Sequence, residues 1–149
     1  MKVSKIYRRV IIMTINFRNE EHQEFYNEKM KEVRYRDCYH EALIYTLGIC
    51  ADTRQQFERI YDLKSGLIKP KCLHEGWQTG SSLKVVRLAF NLYTDVTPTK
   101  DLYRKKDEML RECNEYSVSN IFCSNFAPYF WQAIQIRYPE YCKEESFNV

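Results

Sequence analysis

The stretch Ser81–Tyr93, SSLKVVRLAFNLY, constrains the fold most. Wound at 3.6 residues per turn, it carries one polar stripe, Lys84, Arg87 and Asn91, and is otherwise apolar from Leu83 to Tyr93. A helix with so narrow a polar strip is covered by other helices over most of its circumference. Its start is marked as well. Thr79, Ser81 and Ser82 can each cap an orphan amide, and Gly80 frees the backbone just before the first turn.

The remaining segments supply the covering helices. Asn19 caps a predicted helix Glu20–Val33 with a Tyr26, Met30, Val33 stripe. Asp37 caps Cys38–Leu47, which Gly48 closes, and Asp37, His40 and Glu41 share one polar face of it. Asp52-Thr53-Arg54-Gln55 opens a surface helix to about Tyr61 that buries Phe57, Ile60 and Tyr61. Leu67–Lys71 reads as extended up to Pro70, and Cys72–Gly80 as a loop feeding Ser81. Thr97-Pro98 reads as the start of a densely charged surface helix Pro98–Glu115, striped by Leu102, Met109, Cys113 and Tyr116. Ser117–Phe122 is a short turn or helix. Ser124 or Asn125 caps Phe126–Tyr138, nearly all apolar, which Pro139 stops. The expectation is an all-α protein, one bundle of about six helices around Ser81–Tyr93 and Phe126–Tyr138. Residues 1–15 form an N-terminal extension, with Met13 a second plausible start, and residues 16–149 form the domain.

Composition narrows the function classes. A chain of 149 residues is long enough for a sizeable core, and four Gly with four Pro are too few for a turn-rich β sandwich. Aromatics reach 15%, with twelve tyrosines, which favours a packed core, an aromatic binding face or both. The net charge of +3 does not imply nucleic acid, though it permits it. Six cysteines are scattered without a C-x-x-C pair or a zinc-finger histidine spacing, so they read as reduced, mostly buried thiols and no metal or cofactor is expected. No run approaches a membrane span and no secretory signal is present, so the expected location is the cytoplasm.

Four strings are long and specific: RDCYHEAL at 36–43, IKPKCLHEGWQTGSS at 68–82, VVRLAFNLY at 85–93 and FAPYFWQAIQIRYPEYC at 126–142. Together they resemble a family of small bacterial proteins of unknown function found on integrative elements and prophages of Gram-positive bacteria. The resemblance spans roughly Asn16–Cys142 and carries no assigned catalytic residues. It implies a context in which small proteins act by binding and disabling a defence protein, such as a CRISPR nuclease or nuclease–RNA complex. That warrant is associational.

Several residues are candidates for chemistry. Arg34 and His40 form R-x5-H, which resembles the motif of all-helical HEPN-type ribonucleases, with Arg steadying phosphate charge and His moving a proton. Arg34 precedes the cap at Asp37, whereas that motif sits within one helix. His74, Trp77 and Gln78 cluster in the glycine-bearing loop as a recognition site, against the plain reading that Trp77 plugs the core. GWQTGSSLK lacks the Gly-Lys-Ser/Thr ending of a nucleotide-binding P-loop. Arg87, inside the apolar helix, calls for an ion pair with Asp37 or Glu41. Arg104 and Lys105 could contact phosphates, although nearby acids make a solvated face the simpler reading. The reading that follows is a cofactor-free, non-enzymatic binding protein. Its interface uses His74, Trp77, Gln78 and Arg87, or the charged helix near Arg104 and Lys105, and its alternatives are an Arg34/His40 ribonuclease or a nucleic-acid binder.

Overall fold

The structure is a computed structural model that describes residues 14–97 and 105–142. The N-terminal residues before Thr14, with the alternative start at Met13, lie outside the described residues, as does Arg104. In chain order the elements are α1 (Glu20–Glu32), α2 (Cys38–Gly48), α3 (Ala51–Gln55), α4 (Phe57–Ile60), β1 (Tyr61–Asp62) and β2 (Leu67–Ile68). A 3-10 turn (Pro70–His74), α5 (Gly80–Thr94), α6 (Lys106–Glu115), α7 (Val118–Phe122) and α8 (Ala127–Arg137) follow. The fold is all-α, with β1 and β2 pairing as a two-residue antiparallel hairpin, Tyr61 opposite Ile68 and Asp62 opposite Leu67.

The bundle is centred on α2, not on α5 and α8 as expected. Ala42 to Cys50 are buried without a break, and a helix apolar on all sides must be covered on all sides. α1, α3, α5 and α8 do this, and α5 meets α8 at only a few points. The polar face on α2 hid this role. His40 looks solvent-facing in the sequence, yet it is buried: its ring nitrogen Nδ1 bonds Asp37 at 2.8 Å and its ring lies edge-on to Tyr93.

Gly48 does not close α2 in a left-handed cap. It is the last helical residue, and Ile49 after it stays right-handed at φ −63°, ψ −41°. Its glycine is required by packing: a Cβ there would sit 2.6 Å from Cδ2 of His22. His22, from α1, is fully buried, and Phe25, Tyr26 and Met30 are buried beside it, whereas the expected Val33 is partly exposed. Asn19 caps α1 as expected, accepting the amide of His22 at 2.9 Å.

The helix expected from Asp52 to Tyr61 breaks at Gln56 (φ −102°, ψ 18°) into α3 and α4, and Tyr61 starts the hairpin. Thr53 braces the junction between α2 and α3. Its buried hydroxyl lies 2.5 Å from the Leu47 carbonyl and 2.9 Å from that of Cys50, which satisfies acceptors left open where α2 ends. The hairpin turn uses Asp62, whose carboxylate accepts the Lys64 amide, and Gly66 at φ +72°. Tyr93 of α5 holds that turn, donating its hydroxyl to the Gly66 carbonyl at 2.6 Å, so Tyr61 must donate to Tyr93 across their 3.1 Å contact.

α5 buries Val85, Val86, Leu88, Ala89, Phe90 and Leu92 and places its polar stripe as read. Thr79 is the cap that forms, paired reciprocally with Ser82 in a capping box, while Ser81 is exposed. The expected charged helix Pro98–Glu115 is interrupted at Lys105. Lys105 is extended (φ −112°, ψ 136°) and α6 begins at Lys106, while the part of the expected helix from Pro98 to Arg104, with Leu102, lies outside the described residues.

Candidate functional site

Arg34 and His40 sit in different surroundings. His40 spends Nδ1 on Asp37, and the amides and ring around that carboxylate outweigh its partial burial and hold Asp37 below the usual carboxylate range. Arg34 is exposed and lines a surface groove with Phe57, Tyr61 and Lys69, a set that does not include His40.

The loop before α5 is built as a cap. Gln78 donates to the Cys72 carbonyl at 3.1 Å and accepts from the Ser82 hydroxyl at 2.6 Å. Trp77 is half-buried against the core and donates its ring N–H to Glu75, which also pairs with Arg59 at 3.5 Å. These contacts hold the entry to α5, so Trp77 and Gln78 have structural work. His74 is exposed. Burial pushes the neighbouring Cys72 thiol up to about 12, which keeps it protonated and unreactive.

Arg87 forms the ion pair the apolar helix demands, but not with α2. Glu41 pairs with Arg36 and Asp37 with His40. Arg87 instead grips Glu112 of α6 at 2.8 and 3.0 Å, with Glu115 at 3.6 Å. This fork-on-fork geometry fastens α6 to α5. Lys105 is exposed at the start of α6.

A different surface stands out, one that sequence reasoning assigned to the core. α8 turns Phe130, Ala133 and Ile136 inward. On the opposite side Ala127, Pro128, Trp131, Ile134, Gln135 and Tyr138 fall within an arc of about 120° around the helix axis, with Trp131 at its centre. That face has no charge. Trp131 on it is 52% exposed and Pro128 is exposed. The chain then turns so that Tyr141, 84% exposed, bonds its amide to the Tyr138 carbonyl.

At the C-terminal end of this face Arg137 is clasped between two tyrosine rings, its guanidinium carbon 3.6 Å from the centroid of Tyr39 and 4.5 Å from that of Tyr138. It donates to the Leu92 carbonyl and to Asp95, both at 2.8 Å. Asp95 ends α5 in the left-handed conformation (φ 61°), which a short polar side chain tolerates. Arg137 thereby ties the ends of α5 and α8 to the start of α2 and fixes Tyr39 and Tyr138 as a rigid rim. The excess of tyrosine was the sequence signal for such a face, without its location.

The described residues contain no group of three or more His, Cys, Asp or Glu placed to hold a metal ion. None of the six cysteines is in a disulfide; Cys50 and Cys72 are buried, Cys123 is exposed and the other three are intermediate. No described helix is long and apolar enough to cross a membrane. No curated protein and no solved structure matches the chain. Residues 12–149 match the model of a family of unknown function, DUF6075, and the chain belongs to that family.

Proposed function

We propose that this chain is a non-enzymatic binding protein whose outward α8 face enters an apolar groove on another protein. The observation that carries the reading is the half-exposed Trp131 at the centre of an uncharged helix face. Ile134 and Tyr138, partly buried against the core, follow it at i+3 and i+7, the spacing by which a helix docks in a groove. Tryptophan and tyrosine supply most of the energy at such contacts, and the ring of Tyr39, clasped against Arg137, gives the face a rim. A defence nuclease, the target class suggested by the sequence resemblance, is the first partner to try.

The test is a tagged pull-down from native-host lysate after nuclease digestion, comparing the natural chain with Trp131→Glu and with Val118→Glu. Val118 is 75% exposed and lies on α7, away from the face, so it controls for adding charge to exposed apolar surface. The expected result is a stoichiometric protein partner that Val118→Glu retains and Trp131→Glu loses. A partner held equally by both variants would place the interface elsewhere. Self-association lost with Trp131→Glu would make the partner a second copy.

A further inference from the structure

A second surface lies where α1 ends, under the hairpin. An open groove of about 620 Å³ is lined by Glu32, Arg34, Glu58, Asp62, Lys64 and Lys69 over a floor of Phe57, Tyr61 and Leu63. It shares Phe57 and Glu58 with a smaller groove of about 300 Å³, which adds Lys29, Arg54 and Arg59. Joined, the two carry six basic side chains against three acidic ones, so the net excess of the whole chain, +3, is matched in this one trough. Four of the cations are partly engaged. Lys29 lies over the Phe57 ring and near Glu32, Arg54 and Lys69 bond backbone carbonyls, and Arg59 pairs with Glu75. The side chains of Arg34 and Lys64 have no hydrogen bond or ion pair among the described residues, and they line the larger groove together.

We infer that this trough is a docking site for an acidic, extended segment of a protein, whose carboxylates pair with Arg34 and Lys64. Two observations favour a peptide over a nucleic acid. Single strands are held by stacking bases on exposed aromatic rings, and the floor rings of Phe57 and Tyr61 are too buried to offer their faces. The acids Glu32, Glu58 and Asp62 are also interleaved with the cations, so an evenly charged phosphate chain would meet them at close range. A peptide can space its carboxylates to miss them. The inference is independent of the α8 reading, since the lining residues of the trough and the α8 face have no member in common.

Fluorescence anisotropy tests it with three labelled probes: a peptide of alternating glutamate and glycine, its lysine counterpart, and oligouridylate. The acidic peptide is expected to bind at low salt and to weaken by about tenfold or more in Arg34→Glu/Lys64→Glu, whose sites are exposed and leave the core untouched. Glu58→Gln is expected to tighten it, a gain that a loss of fold cannot mimic, and Trp131→Glu to leave it unchanged. Three results would overturn the inference: no binding of the acidic peptide, binding indifferent to the double charge reversal, or oligouridylate binding as tightly as the peptide.

Discussion

Protonation of His22 should make this fold acid-sensitive well above the pH at which carboxylates titrate. The imidazole is fully buried and bonded at both nitrogens. Nδ1 accepts the Arg18 amide at 3.1 Å, so the ring proton sits on Nε2 and is donated to the Tyr45 carbonyl at 2.7 Å. A charged ring would lose the Arg18 bond and its solvation together. Burial, and to a lesser extent the charges of Arg54 and Arg18, lower the His22 pKa from 6.5 to about 4, against the pull of the Tyr45 carbonyl. Between these values the unfolded chain binds a proton that the folded chain refuses, so stability rises with pH across the window. It is fully present above 6.5 and is lost as pH falls toward 4. The shift corresponds to a loss of about 2 kcal/mol at pH 5 and about 3 kcal/mol at pH 4, relative to neutral pH. Urea unfolding of the natural chain and of His22→Gln at pH 7, 6, 5 and 4.5 measures it. Glutamine can still donate to Tyr45 but does not titrate. Its stability starts lower, and the difference between the two proteins should shrink by about 2 kcal/mol by pH 5. Asp37 and Asp62, both held below the usual carboxylate range, lose their contribution only at lower pH and do so in both proteins. Parallel profiles for the two proteins, or an NMR titration of His22 near 6.5, would refute the reasoning.

Two further substitutions probe the packing around the same core and the α5–α6 junction. Gly48→Ala should destabilise the fold by about 1–3 kcal/mol despite alanine's higher helix propensity, because the new methyl meets the His22 ring at 2.6 Å and Phe25 at 3.0 Å. Thermal unfolding reads this, and a gain in stability would show that the ring moves aside freely. Glu112→Ala should cost about 3 kcal/mol by stranding the largely buried Arg87, while Arg87→Met combined with Glu112→Leu should come out near neutral. A double-mutant cycle in urea separates the cases, and a mild single-variant effect would mean that Glu115, 3.6 Å away, takes over the pairing.

Much of the helical plan is legible in the chain because it rests on local rules. The caps at Asn19, Asp37 and Thr79 each form the bond their residue types promise. What local rules cannot supply is which helix has neighbours on every side. α2 was read as half-polar because Asp37, His40 and Glu41 fall on one face, but Asp37 and Tyr93 cover His40 and leave the rest of the helix free to be central. Gly48 looked like a stop signal, when its lack of a side chain serves a ring from another helix twenty-six positions earlier in the chain. Arg87 declared its need for a carboxylate but not its address, since Glu112 reaches it only through the packing of α6. Trp77 looked like an anchor for a partner, and its contacts with Glu75 and the core make it a brace for the loop.

The α8 face is the feature least visible from sequence, and the reason bears on its function. Ser81–Tyr93 and Phe126–Tyr138 read alike as nearly continuous apolar runs, so both were assigned to the core. In the structure α8 lies at the edge, and its polar residues point the unexpected way. Gln132 is buried and accepts the Asn16 amide at 2.9 Å, and Arg137 is buried between tyrosine rings, while Trp131 faces outward. A helix short of polar residues would leave apolar ones outside by default. This helix has three, Gln132, Gln135 and Arg137, and commits two of them to the interior, where Gln132 and Arg137 each tie α8 to a distant part of the chain. The usual amphipathic order would reverse that choice, placing glutamine and arginine outside and tryptophan in the core. An exposed indole is therefore a cost to the isolated fold, and burial against a partner, as proposed for this face, would offset it.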